Sequence, residues 1–446
     1  MTPHALDVLE LDVLAHGVGS RADLPVPLAL ALYGAGFAVV ISFLALVLLW
    51  REPKLQGDAA GRPLPRAVQA VVDHAVTRGL LRAVVLLLTL LVVAVALVGP
   101  VGPNDNLAPY ALFVTLWVGL IPASLLLGPV WKVVNPLRTL HAGLARITGP
   151  APAADRLPSL GYWPGALSLL VFVWLELVLP ERSEPRTVGV FLVLYGVVQL
   201  VAGLWFGSGW YARGDGFEVY SSLLGRLSPL GRRDDGRLVL RSPLDGVDGL
   251  RVEPGLVAVV LVLVGSTGFD GLSRTQVWIE GPGREAYLTA VPGTFGLLGM
   301  IALAAVLYVG ATALGGVITG HRPSVQPGLF AHSIVPIAAG YAIAHYFSLL
   351  LLDGQATWIL ASNPFGQDGV DLFGTYGRAI DYTVVGPTLI ADVQVGAIVL
   401  GHVLGVVLAH DRAVRTAPRR PTGGQVPLVA VMVAFTVGGL ALLLSS

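Results

Sequence analysis

Along the chain, long uncharged apolar runs alternate with stretches that gather nearly all the charge. Ten such runs stand out, at about 26–50, 80–100, 108–130, 162–180, 187–206, 254–270, 291–314, 328–352, 388–409 and 426–445. Each offers the roughly 17–25 mostly apolar residues that a helix needs to cross a bilayer. The pattern predicts an all-α fold: a polytopic transmembrane helix bundle of about ten spans, one membrane domain over 1–446. The run at 328–352, GLFAHSIVPIAAGYAIAHYFSLLLL, contains no Asp, Glu, Lys or Arg. As a helix it extends roughly 37 Å at about 1.5 Å per residue, enough to cross the hydrocarbon. Yet it holds His332 and His345, with Pro336 between them. Ionisable groups are rare inside lipid and usually face a bundle interior or a wet cavity.

The connections fix a direction. With the N-terminus outside, all but six of the 28 Lys and Arg residues fall in the segments 51–79, 131–161, 207–253, 315–327 and 410–425 or, for Arg82, beside them. The six exceptions are Arg21, Arg182, Arg186, Arg274, Arg284 and Arg378. This positive-inside bias predicts a multi-pass protein of the inner (plasma) membrane with both termini outside. Residues 1–24 carry the acidic LDVLELDVL and no basic lead-in, so the first apolar run reads as a permanent span rather than a cleaved signal. The connection 207–253 holds seven Arg and seven acidic residues and reads as a charged cytoplasmic loop. Within it, FEVYSSLLGRLSPLG reads as an interfacial amphipathic helix, and RRDDGRLVLRSPLDG as a small hairpin around Asp235 and Gly236. The segments at 63–78 and WKVVNPLRTLHAGLARITG read as inner-surface helices, the latter with Arg and His facing headgroups. The outer connection 353–387 carries several aromatics and is long enough to be a lid.

Composition narrows the function. Only 13% of the 446 residues are charged, against about 25% in an average soluble domain. Net charge is zero, which gives nucleic-acid binding no electrostatic support. The absence of Cys excludes disulfides, thiolate metal sites and Cys nucleophiles. No HExxH helix, Walker loop or GxSxG elbow is present.

Chemistry then rests on a few polar residues inside the spans. Antiparallel geometry sets residue 345 level with about 395, so Asp392 falls within a turn of His345 in depth. Glu176 and Asp270 fall near the same outer side, and Tyr341 and Ser348 extend His345 into a polar stripe at helical spacing. A His345–Asp392 pair fits four roles: a buried bond locking two helices, a proton relay, a divalent metal site or a carboxylate-oriented general base. The stretch GSTGFDG at 265–271 reads either as a broken, site-lining helix end or as a plain Gly stop. His402, between Gly401 and Gly405, reads as a helix-packing residue, with Gly34, Gly36, Gly196 and Gly203 as further packing positions. His332 and His410 read as solvated imidazoles near the inner face.

Five stretches together resemble a set of actinobacterial polytopic membrane proteins that carry the label fenitrothion hydrolase. They are AHGVGSRADLPVP at 15–27, YWPGALSLLVFVWLELVLPERS at 162–183, RGDGFEVYSSLLGRLSPLGRR at 213–233, GSTGFDGLS at 265–273 and AHSIVPIAAGYAIAHYFSLLL at 331–351. The resemblance implies a membrane-bound organophosphate triester hydrolase or one component of it, with no catalytic residues to carry over. Relatives begin with a cleavable signal that leaves His-Gly near the mature N-terminus, whereas here His16 and Gly17 follow an acidic tail.

Three functions stay open. One is a permease for a small solute or metal ion, with an outward-facing site at His345, Asp392, Glu176, Asp270 and Tyr341. Another is a metal-assisted hydrolase with the metal on His345 and Asp392, joined by His16. The third is a non-catalytic scaffold bound to a partner membrane subunit. Ten spans split five plus five, and odd-numbered halves are necessarily inverted, as in many transporters.

Overall fold

A computed structural model describes residues 27–286, 288–417 and 421–444. The chain is an all-α polytopic helical bundle and a multi-pass membrane protein. Its long helices are α1 (Leu28–Leu49), α3 (Ala75–Val98), α4 (Leu107–Leu127), α7 (Pro185–Phe206), α9 (Leu256–Ser273), α10 (Val291–Thr319), α11 (Val335–Leu352), α12 (Pro387–Thr416) and α13 (Thr422–Leu443). A tenth crossing, α6 (Trp163–Val178), meets Ala154–Leu160 at a 70° bend. Among the shorter helices are α2 (Arg66–Asp73), α5 (Pro136–Thr148) and α8 (Gly216–Leu224). Leu80, Leu87 and Leu88 of α3 and Val197, Val198 and Val201 of α7 are exposed, as on helices that face lipid.

Among the described residues the most extensive helix contact is between α11 and α12, and glycine makes it possible. A Cβ at Gly401 would sit 2.5 Å from the Pro336 carbonyl, and one at Gly405 would sit 2.7 Å from that of Ser333. Backbones can approach this closely only where side chains are absent. The 328–352 stretch is not one continuous α-helix. A tight turn at Ala331–Ile334 precedes α11, and Pro336 sits in the first turn, where its missing N–H leaves no helical bond unmade. His332 and His410 are both 2% exposed, so they are buried rather than solvated. His141 is buried too: its Nε2 meets the Gly203 carbonyl at 3.1 Å instead of facing headgroups. A Cβ added at Gly34 would meet nothing within 4 Å, so this glycine is no packing contact, whereas one at Gly36 would meet Val437.

The connection 207–253 differs most from its sequence reading. Its FEVYSSLLG segment forms α8, which lies inside the bundle and not on its surface. Phe217 and Tyr220 pack into an aromatic cluster with Trp117 and Phe172, Trp117 stacking on Tyr220 at 4.3 Å. Its polar residues bond inward. Asp215 caps the helix by accepting from the Phe217 amide and also accepts from the Tyr195 hydroxyl at 2.6 Å. Glu218, fully buried, takes two 2.6 Å bonds from Arg138. Paired charges can be buried in this way because the guanidinium fork satisfies both carboxylate oxygens. The hairpin pairs β2 (Leu230–Arg232) with β3 (Leu238–Leu240), turning through Gly236 at φ 78°, and β1 (Arg62–Pro63) adds to the other edge of β3. Asp73 at the end of α2 latches to Arg232 of this sheet.

In 353–387, a helical segment (Gly354–Ala361) leads into turns held by Asp371. The Ser362 hydroxyl and the Thr375 and Tyr376 amides donate to that carboxylate, and this holds its pKa below the usual carboxylate range.

Two outcomes follow. Gly401→Leu loses roughly 1–3 kcal/mol or more of stability because the facing backbone cannot yield, while Gly34→Leu stays within about 0.5 kcal/mol; thermal unfolding of detergent-solubilised protein reads both. Because the folded pKa of Asp371 is depressed, the order it gives the loop is present above about pH 4, the unfolded carboxylate range. That order is lost as pH falls through the folded value. Hydrogen exchange at residues 372–376, corrected for intrinsic rates, shows this acid loosening in the wild type, whereas Asp371→Asn is already loose at neutral pH.

Candidate functional site

The helix α9 runs unbroken through Gly265 and Gly268, so its end is neither broken nor stopped by glycine. Gly265 instead admits the backbone of Ile301. Asp270 therefore lies in a regular last turn, and Arg274 follows one turn later on the same face. The Arg274 guanidinium donates from Nη2 and Nε to Asp270 Oδ1 at 3.0 and 3.2 Å. The other carboxylate oxygen, Oδ2, lies 2.5 Å from Nε2 of His345 on α11. His345 is 3% exposed and Asp270 4%.

The contact is a charged pair whenever the imidazole is protonated. The Nη2 of Arg274, 3.3 Å from Nε2, gathers imidazole and guanidinium around one carboxylate. Burying such groups costs several kcal/mol each unless they are paired and hydrogen-bonded. Nδ1 of His345 has no partner. Tyr341 lies parallel to the imidazole at 6.2 Å and Tyr346 meets it edge-on at 4.9 Å. Tyr341 fits because its neighbours are glycines: a Cβ at Gly271 would lie 3.0 Å from its hydroxyl, and one at Gly439 2.9 Å from its ring.

Glu176 joins this group through Tyr346, whose hydroxyl donates to Glu176 Oε1 at 3.1 Å. Glu176 Oε2 is enclosed and has no partner. It borders a small cavity lined also by Trp117, Tyr220, Ser266, Thr267 and Tyr346. Trp117 comes from a π-helical stretch of α4, Tyr110–Val118, a widened winding often found where a helix serves a site.

Of the residues singled out from sequence, the structure brings together His345, Asp270, Tyr341 and, one residue further, Glu176. It does not pair His345 with Asp392. Asp392 is exposed, and the carboxylate that meets the imidazole comes from α9. The expected depth is compatible with a pairing, but the rotation of the helix is not. The residues of α12 that face inward are Ala391, Gln394, Ile398, Gly401 and Gly405, a helical series in which position 392 turns away. Gln394 is fully buried with neither amide atom bonded, and Ser348 is buried likewise. Counting back in threes and fours from Gly405 and Gly401 finds Gln394 in the sequence, and the four-residue spacing from Asp270 finds Arg274. Tyr346 carries no such signal. His402 donates from Nδ1 to the Ile398 carbonyl at 2.9 Å, within its own helix.

A metal site on His345 and Asp392 is therefore not assembled, and among the described residues no three His, Asp or Glu side chains converge as metal ligands. His16 lies outside the described residues. Comparison with protein-family models, curated proteins and solved structures finds no match for this chain.

Removing one partner from a buried ion pair strands the others. Asp270→Ala is expected to lose roughly 3–5 kcal/mol, and Asp392→Ala less than about 0.5 kcal/mol. Thermal unfolding of the two variants in detergent gives the comparison; equal losses would return Asp392 to the site.

Proposed function

We propose that this protein is a proton-coupled transporter of a small solute in the inner membrane, and that His345, Asp270 and Arg274 form its proton-handling centre. The observation that carries the reading is the buried convergence of three ionisable groups, with Nε2 of His345 2.5 Å from Oδ2 of Asp270 and Arg274 against both. Imidazole is the side chain whose chemistry best suits gaining and losing a proton near neutrality. Groups so costly to keep among apolar helices persist mostly where they act on protons, ions or substrates. The positive-inside bias supports an orientation in which this centre faces the outer side, and ten crossings are compatible with two inverted five-helix halves. The lipid bilayer is its medium, and Gln394 and Ser348 are buried with hydrogen bonds left for a small ligand to satisfy.

Reconstituted into liposomes holding a pH-sensitive dye, the wild type is expected to pass protons when a permeable solute gradient is imposed. His345→Gln and Asp270→Asn, shown folded by gel filtration, are expected to fall to the level of empty liposomes. Wild-type flux no greater than that of empty liposomes, or flux untouched by both variants, contradicts the proposal. Phosphotriester turnover by the same preparation, lost in His345→Gln, would favour the hydrolase reading that the resemblance implies.

A further inference from the structure

The cavity beside Glu176 has a chemistry of its own. It measures about 10 Å³, close to the ~10–15 Å³ that one water molecule needs. Its walls supply both sides of a hydrogen-bond set. The Tyr220 hydroxyl is buried without a partner, and so is Glu176 Oε2. Ser266 and Thr267 spend their hydroxyl protons on the carbonyls of Leu263 and Val264, which leaves their oxygens free to accept. A water here meets one donor and at least two acceptors, within the two to four partners a buried water requires. Left dry, the same groups would each carry an unmet desolvation cost.

The position matters as much as the chemistry. The cavity lies between the His345 centre, reached through Tyr346, and α8, which contributes Tyr220 from the connection at the opposite end of the bundle. One face of Glu176 thus looks to the centre and the other to the inserted helix. We infer that this cavity holds an ordered water bonded to Glu176 Oε2 and Tyr220, and that Glu176 is a second proton-carrying site in series with His345 and Asp270. This deepens the proton-transport reading and rests on it for its purpose. The step is a simple exchange: a hydronium reaching the cavity gives one proton to the Glu176 carboxylate and remains as water, and the reverse returns it. No other bond changes.

Infrared difference spectra of the purified full chain in lipid, taken between alkaline and acid pH, test this without any transport assay. The wild type is expected to show the carbonyl stretch of a protonated carboxylic acid, shifted in D₂O. Glu176→Gln removes that band. Tyr220→Phe retains it but moves its frequency, because the water loses a donor. Should Glu176→Gln fail to fold, the Tyr220→Phe shift still decides. A wild-type spectrum without such a band, a band indifferent to Glu176→Gln, or one unmoved by Tyr220→Phe overturns the inference. A Glu176-dependent band in a protein that passes no protons through liposomes upholds this site and retires the transport reading alone.

Discussion

A carboxylate buried among apolar helices has to be neutralised by something, and in this chain Asp270 draws in two groups to do it. Arg274 takes one oxygen from the next turn of the same helix, and His345 takes the other from across a helix interface. The cluster ties the end of α9 to the upper half of α11. Everything near it is shaped to keep those three together: the glycines that let Tyr341 lie beside the imidazole, the glycine seam that brings α12 against α11, and the tyrosine that extends the network to Glu176. A dry, well-packed apolar substitute would hold the helices at least as firmly, since buried ion pairs seldom exceed hydrophobic packing in net stability. Their presence is better explained by what a proton can do there.

The same rule governs the opposite end of the bundle. There, α8 carries Glu218 and Asp215 into the interior, and each is met by a specific donor: Arg138 for the first, Tyr195 and Asn135 for the second. Asp248 and Asp411 anchor Arg412 and Arg415 of α12 in a further network that also binds the backbone after α1. The carboxylates of these networks are paired, and they read as structure. Elsewhere in the bundle several buried polar atoms are not. Nδ1 of His345, Oε2 of Glu176 and the amide of Gln394 all lack partners.

How much of this is written in the sequence varies with the kind of information needed. The crossings are legible because lipid imposes a length and a composition on every span, and 28–49 or 291–319 can hardly be anything else. His345 is legible as the centre because an ionisable residue in such a run is conspicuous. Its partner is not, since hydropathy gives depth along a helix but not the direction a side chain points. Asp392 has the right depth and the wrong face, while Gln394, two residues on, has both. The segment 216–224 misleads for a related reason: Glu218 and Ser221 look like a water-facing side, yet their water is replaced by Arg138, Asn135 and Ser124. Such replacement depends on residues about 80 to 100 positions away and leaves no local trace.

The central claim is that His345 and Asp270 hold one proton between them. Nitrogen-15 solid-state NMR of histidine-labelled protein in lipid bilayers addresses it directly, with the His345 signals assigned by their loss in His345→Gln. The account predicts an Nε2 resonance displaced toward a strongly hydrogen-bonded, shared proton and moved by Asp270→Asn. An Nε2 resonance unmoved by Asp270→Asn would contradict it.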